Sequence, residues 1–360
     1  GAMYSSGYIF TVSYLIAASI LFVGGASVYF SLAVFIFGII YVFLQGTAFM
    51  EVFDFLFPKA TGWNVYGVVE PKEEVKQQVI VAGHHDAAYV FRWLLRWQKL
   101  YGIRIFLNMT TYFLATLVVL FWCVYRLVAE TDPAVSSWLP IIIAAGSVIP
   151  LQSFFSVDYH HVSPGAGDNL IASEIAIHMA DFFRENRLKH TRIIALSTDA
   201  EEPGLRGAKR FVKRHYGELH EIPTTVINME CLYSLRDLGF IVKDLNGLKR
   251  LSNDVAETCS GLAASAGYPH RIIKLPFGGG ATDAAEFGHA GIPTTTIFGM
   301  STAIIRDQLV YHTPWDTVDK IEPSIVEATV DILHRYLVKK DAGTITALLP
   351  GIGQPGRLEK

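Results

Sequence analysis

Apolar residues fall along this chain in two rhythms: long uncharged blocks and short runs. From Gly1 to Met50 there is no Asp, Glu, Lys, Arg or His. A bilayer-spanning helix needs roughly 20 apolar residues, so this stretch has room for two. Gly24-Gly25 is the natural break, and spans are expected at about 5–23 and 27–48. A signal peptide would be shorter and carry a basic leading region. Residues 105–125 are again uncharged up to Arg126, and 135–157 carry no charge until Asp158. The turn-like AETDPAVSS between them predicts a helical hairpin. Pro140 and Pro150 weaken its second arm, which can instead be re-entrant or interfacial.

Elsewhere the apolar runs are short. VYGVVE (65–70), QVIVAG (78–83), RIIALS (192–197), TTVINM (224–229), RIIKLP (271–276) and TTTIFG (294–299) read as strands. Helical patterns cover 168–186, 205–216, 246–266, 281–290 and 323–340. Continuous apolar strands alternating with helices predict an α/β fold: a mixed, largely parallel twisted sheet flanked by helices. To this the chain adds about four transmembrane helices. The expected order is a transmembrane hairpin over 1–50, then an α/β domain over 51–360. Residues 91–157, holding an amphipathic segment and the second hairpin, interrupt that domain. The amphipathic segment is RWLLRWQKLYGIR (92–104), which mixes Arg92, Arg96, Lys99 and Arg104 with Trp93 and Trp97. Such a mixture suits lipid headgroups. Basic residues before the third span place that end in the cytoplasm. The chain is therefore expected to be a multi-pass integral membrane protein, its α/β domain on the cytoplasmic side.

Composition agrees. The chain is 51% hydrophobic and 18% charged, against about 25% charged in soluble domains. A net charge of −3 and no basic run interleaved with aromatics exclude a nucleic-acid partner. Three cysteines, Cys123, Cys231 and Cys259, fit neither a disulfide framework nor a zinc spacing and read as buried thiols. The opening Gly-Ala-Met reads as the remnant of a removed tag, and the tail GIGQPGRLEK is expected to fray.

The candidate chemistry lies in polar residues at the ends of the apolar runs. His84 follows a strand ending in Gly83, and Asp86 can orient a ligating imidazole; His85 should point away. Asp168 lies in GAGDN before a helical pattern, a place that also suits a helix N-cap. Glu201 and Glu202 follow a buried strand. Two adjacent carboxylates there repel each other and lose solvation unless a cation is near. One can ligate a metal while the other acts as general base. Glu230 ends the apolar run TTVINM and must be paired or metal-bound. His312 follows Tyr311 in YHTPWDT. Together these supply the imidazoles and carboxylates that two metals roughly 3.5–4 Å apart require for amide hydrolysis.

The motifs GHHD, GAGDN, EEPGLRG, NME and YHTPWDT resemble those of zinc-dependent exopeptidases of the aminopeptidase Y and bacterial leucyl aminopeptidase type (clan MH), over roughly residues 63–340 apart from the apolar insert. The resemblance implies that Asp168 bridges two zinc ions. His84 and Glu230 would complete one, and Glu202 and His312 the other. Glu201 would be the general base, Asp86 the support of His84, and Tyr311 a donor to the oxyanion. It further implies a catalytic α/β domain and two Zn2+ per chain. One Zn2+, as in the related glutaminyl cyclases, is the alternative, and an inert membrane scaffold or receptor the other. This chain departs from the pattern in two places. Glu230 stands where soluble members often have Asp, and Ala284 stands where the segment around Asp283 usually has His. A family default of peptides with a free N-terminus, together with an insert between two ligand motifs, makes hydrophobic peptides, N-acyl amino acids or lipopeptides the expected substrates, with the lipid bilayer as a further partner.

Overall fold

The computed structural model describes residue 4 and residues 6–302 and 309–343. The opening Gly-Ala-Met and the tail expected to fray lie outside the described residues. The chain divides into two compact units. One comprises Gly1–Ala60, Tyr89–Val162 and Thr302–Thr313; the other comprises Thr61–Ala88, Ser163–Ser301 and Pro314–Lys360.

Ten strands occur among the described residues: β1 (Val65–Val69), β2 (Gln77–His84), β3 (Tyr89–Phe91), β4 (Val157–Val162), β5 (Thr191–Thr198), β6 (Thr224–Leu232), β7 (Gly239–Asp244), β8 (Lys249–Arg250), β9 (Arg271–Lys274) and β10 (Thr294–Gly299). In the second unit eight of them form one sheet in the order β1-β5-β2-β6-β10-β7-β8, with β9 paired to β7. Its centre is parallel: β2 with β5 and β6, and β6 with β10. The edges, β1 on β5 and β8 on β7, are antiparallel. The expected mixed, largely parallel sheet is therefore present.

Side-chain alternation explains how the sheet is covered on both faces. Val79, Val81, Ile193, Ala195, Ile227 and Met229 pack on one side with the helices Ile171–Glu185, Asn253–Ser265 and Pro323–Asp341. Ile80, Ala82, Ile194, Leu196 and Val226 pack on the other with Phe211 of the helix Arg206–Arg214 and Phe287 of Ala284–His289. Gly83 has no Cβ for a reason: one placed there would lie 2.5 Å from Ala172 Cβ and 3.0 Å from Ser173 N. The close helix approach fixes the end of β2 where His84 begins.

The first unit is mainly helical, with a core of its own. Helices Ser6–Leu21, Ser27–Tyr41 (extended by a wide turn to Thr47) and Tyr101–Ala129 surround Phe10, Tyr14, Phe35, Tyr112, Val119 and Trp122. Among the described residues two helical stretches, Ser27–Thr47 and Gln98–Ala129, are long and apolar enough to cross a membrane; Ser6–Leu21 and Leu139–Phe155 are apolar but shorter. The fourth expected span is broken into 3-10 and α segments over 134–155, in keeping with its two prolines. Several buried polar groups in this core find partners within it. The Tyr112 hydroxyl meets Ser13 Oγ at 2.8 Å, Ser31 donates to the Ala17 carbonyl at 2.8 Å, and Tyr14 donates to that of Ile143 at 2.9 Å. The amphipathic stretch 92–104 is built from a short helix, a left-handed residue and the start of the long helix. The helix Arg92–Leu95 ends before Trp97, whose φ of 56° reverses the chain ahead of the long helix.

Candidate metal centre

The second unit gathers its candidate ligands at the carboxyl ends of parallel strands, where α/β sheets place their sites. His84 is the last residue of β2 and is paired with Thr198, the last of β5. Its Nε2 lies 3.3 Å from Glu230 Oε1, 3.4 Å from Asp168 Oδ1 and 4.0 Å from Glu201 Oε2. On the other edge of the ring, Nδ1 lies 3.0 Å from the Asp86 carbonyl oxygen and 3.3 Å from its carboxylate. The Asp86 carboxylate in turn accepts from the backbone N–H groups of Glu201 at 3.0 Å and Glu202 at 3.1 Å. One side chain thus braces both the imidazole and the turn bearing the two glutamates, where Ala200 is held at φ 55°. His85 points elsewhere, its Nδ1 2.7 Å from Ser197 Oγ.

Asp168 sits two residues before Leu170, which precedes the helix and makes no side-chain cap; the carboxylate faces His84 instead of capping. The Asp168–Asn169 peptide is cis. Asn169 donates to the Met229 carbonyl at 2.8 Å and to Glu230 Oε2 at 3.2 Å, which fixes that carboxylate. Asp316 accepts from the N–H of Gly167 at 2.8 Å and of Asp168 at 3.3 Å. Gly167 also lets the Tyr233 ring close on this loop, since a Cβ there would lie 2.1 Å from that ring.

Sequence reasoning missed three contributors. Asn169 and Asp316 stood inside the quoted motifs, but their partners are far away along the chain. Cys231 gave no signal, because on a regular strand it would face away from Glu230. β6 is bulged at this point: Phe298 pairs with Glu230 and Gly299 with Leu232, leaving Cys231 over at φ 51°. Its Sγ then lies 3.5 Å from Glu230 Oε1 and 3.6 Å from Asp168 Oδ1. Asp283 is also buried and takes a hydrogen bond from the Thr198 hydroxyl.

Electrostatics shows what the cluster can hold. Burial, then the charges of Glu230, Glu202 and Asp283, hold the Glu201 carboxyl well above the usual range against the pull of His84. Burial pushes Glu230 up to about 8 and Asp283 up to about 7. Burial works to lower His84, yet Glu230, Asp168 and Asp86 outweigh it and hold its pKa well up. Among the described residues neither Glu201 nor Glu230 has a Lys or Arg ion partner. Buried carboxylates of this kind call for a cation. Three groupings each bring one ligand atom per residue within 4.8 Å of the others: His84, Asp168 and Glu202; His84, Glu201 and Glu230; Asp168, Glu230 and Cys231. This imidazole–carboxylate set fits a divalent metal. Tyr311 and His312 belong to the first unit. Their rings stack with centroids 3.6 Å apart, and the His312 carbonyl accepts from Phe91 N–H at 2.9 Å.

The sequence profile of peptidase family M28 matches residues 156–337, half of the chain. The chain belongs to peptidase family M28. The M28 match spans Asp168, Glu201, Glu202, Glu230 and His312, while His84 lies ahead of it. No curated protein sequence matches. Among solved structures the chain is similar to a zinc aminopeptidase from Bacillus subtilis (19% identity, TM-score 0.48, 77% of this chain and 49% of that one). It is also similar to an aminopeptidase from Aneurinibacillus sp. strain AM-1 (16%, 0.46, 82% and 51%). A glutaminyl cyclase from Bacteroides thetaiotaomicron, bound to N-acetylhistamine, matches at 12% identity, a TM-score of 0.47, and 77% of both chains. The chain spans about half the length of the two aminopeptidases.

Proposed function

We propose that this M28 member is a membrane-bound zinc aminopeptidase with two zinc ions. The supporting observation is the convergence of Asp168, Glu230 and Glu201 on one nitrogen of a buried His84, at 3.3–4.0 Å. Asp168 would bridge the ions, with His84 and Glu230 holding one and Glu202 and His312 the other. When bound, zinc acidifies water and polarises the scissile carbonyl. Glu201 takes the proton from the attacking water and delivers it to the leaving amine. In the zinc-free chain burial holds the Glu201 carboxyl well above the usual carboxylate range; a positioned carboxylate beside the attacking water is what general acid–base catalysis requires. Tyr311 would donate to the oxygen on which negative charge develops. Asp86 keeps the imidazole and the Glu201–Glu202 turn in register.

Helices Ser27–Thr47 and Gln98–Ala129 would cross the bilayer, with the two shorter apolar helices completing a four-helix set and the catalytic unit on the cytoplasmic side. The insert separates His84 from Asp168 along the chain, and this favours hydrophobic or acylated peptides and N-acyl amino acids as substrates. Glu201→Gln tests the chemistry: it should retain zinc and lose turnover by about 10²–10⁴-fold, the usual worth of general acid–base catalysis. Undiminished turnover would remove Glu201 from the role. Zinc counting by mass spectrometry separates two ions from the single ion of a cyclase and the zero of a scaffold. Equal cleavage of short soluble aminoacyl amides and acylated ones would refute the substrate class.

A further inference from the structure

The helical unit contains a cavity of about 650 Å³ that the peptidase chemistry does not use. Arg92, Arg96 and Arg104 line it, with the indoles of Trp93 and Trp97 and the ring of Phe155. Its one acidic group, Asp158, is taken: Arg92 pairs with it at 3.1 Å, His161 lies 3.2 Å from it, and the His160 N–H bonds to it at 3.1 Å. Arg96 and Arg104 have no ion partner among the described residues. Arg104 is nonetheless held in place. Its guanidinium lies 5.5 Å from the Trp93 ring and 5.7 Å from the Trp97 ring, and its Nη1 donates to the Arg96 carbonyl at 3.4 Å. Cation–π contacts of this kind orient a guanidinium without consuming its outer donors. The local balance is three positive charges against one negative, in a recess large enough for a small ligand.

The position narrows the ligand. The cavity lies at the start of the apolar stretch Gln98–Ala129. Ile103, Phe106 and Phe113 of that stretch are exposed at 50%, 66% and 56%. Guanidinium groups bind phosphate oxygens bidentately, and indoles favour the bilayer interface. We propose that this recess is a binding site for one anionic phospholipid. Its phosphodiester would be held by Arg96 and Arg104, and its acyl chains would run along the apolar helix surface. The inference rests on the membrane reading above, but not on the peptidase chemistry.

The test uses the full chain in neutral detergent, titrated with phosphatidylglycerol, phosphatidylcholine or glycerol 3-phosphate, with bound molecules counted by native mass spectrometry. One phosphatidylglycerol per chain should bind saturably, at least tenfold more tightly than phosphatidylcholine. Excess glycerol 3-phosphate should not displace it. The Arg96→Gln/Arg104→Gln variant should lose this preference while keeping its zinc content and elution volume, and Arg96→Lys/Arg104→Lys should keep part of it. Equal binding of the two lipids, or unchanged preference in the glutamine variant, overturns the proposal. Displacement by equimolar glycerol 3-phosphate overturns the lipid as ligand in favour of a soluble phosphate. Carbonate extraction of native membranes separates the two readings: a chain that stays in the pellet but shows no lipid preference refutes only this site, and a released chain refutes the membrane reading and the lipid with it.

Discussion

Asp86→Asn is the most discriminating perturbation of the centre, because it leaves size almost unchanged. In the native side chain Oδ1 accepts from Glu201 N–H at 3.0 Å and lies 3.3 Å from His84 Nδ1, while Oδ2 accepts from Glu202 N–H at 3.1 Å. An amide has one oxygen and one NH2. In either orientation one backbone N–H faces a donor, and that hydrogen bond is lost. A bond to a charged acceptor contributes about 1.5–3 kcal/mol; partial solvent access to Asp86 argues for the lower end of that range. The loss matches the about 1–3 kcal/mol that a left-handed residue such as Ala200 costs its turn. The turn carrying Glu201 and Glu202 should therefore relax, and His84 loses the anion behind it. Removal of such supporting groups typically weakens metal binding 10–100-fold. Competition with a fluorescent zinc chelator reads this directly, and turnover at saturating zinc shows how much of the defect is affinity. Asp86→Asn that holds zinc as tightly as the native chain and melts at the same temperature would refute the bracing role.

Other outcomes follow from the same contacts. In the zinc-free protein Glu230, Asp283 and Glu201 have raised folded pKa values, as does His84, so the folded chain keeps protons the unfolded chain has released. Its stability should then fall as pH rises from about 5 through about 8, and zinc should restore more at pH 8 than at pH 6, since binding expels those protons; melting curves with chelator that rise with pH would contradict this. Gly167→Ala places a Cβ 2.1 Å from the Tyr233 ring and should cost about 1–3 kcal/mol by overpacking. Gly67→Ala, which meets open space on an edge strand, should be neutral or stabilising by about 0.5 kcal/mol, and denaturant unfolding compares the two. In the helical unit Gly38→Ala would meet the Tyr112 hydroxyl at 2.0 Å, and should lower the melting temperature in detergent.

What the sequence made legible was whatever a local pattern encodes. β2, β5, β6 and β10 are continuous apolar runs because they are covered on both faces, and their ends mark the site without further information. β7 escaped notice because its apolar part, Gly239–Val242, is short and abuts Lys243 and Asp244. The helix expected from 246 starts at Asn253, since Leu245, Asn246 and Gly247 all take positive φ and form a turn leading into β8. Asp168 was readable as a ligand or as a cap, and only the position of His84, far away along the chain, decides between them. Cys231 was hidden for a sharper reason: period-two alternation forbids it from joining Glu230, and a bulge is a property of the paired strand, not of the local residues.

The long insert between His84 and Asp168 looks at first like an obstacle to a shared metal centre, but the chain confines its cost. In the catalytic unit Ser163 N–H donates to the Ala88 carbonyl at 2.8 Å, so the two points where the insert departs and returns are already joined. In the helical unit the next residues pair again, Tyr89 with Val162 and Phe91 with Val157, in the β3–β4 ribbon. Closing a long loop costs only about (3/2)RT ln n, which grows slowly with length, provided its ends are held together. The α/β fold therefore treats more than seventy inserted residues much as it would a tight turn, and His84 and Asp168 keep their 3.4 Å approach. Substituting Ser163 by Pro, which removes the joining N–H, should consequently weaken zinc binding more than it disturbs the helical core. Zinc affinity that survives Ser163→Pro unchanged would show that the ends of the insert need not be clamped.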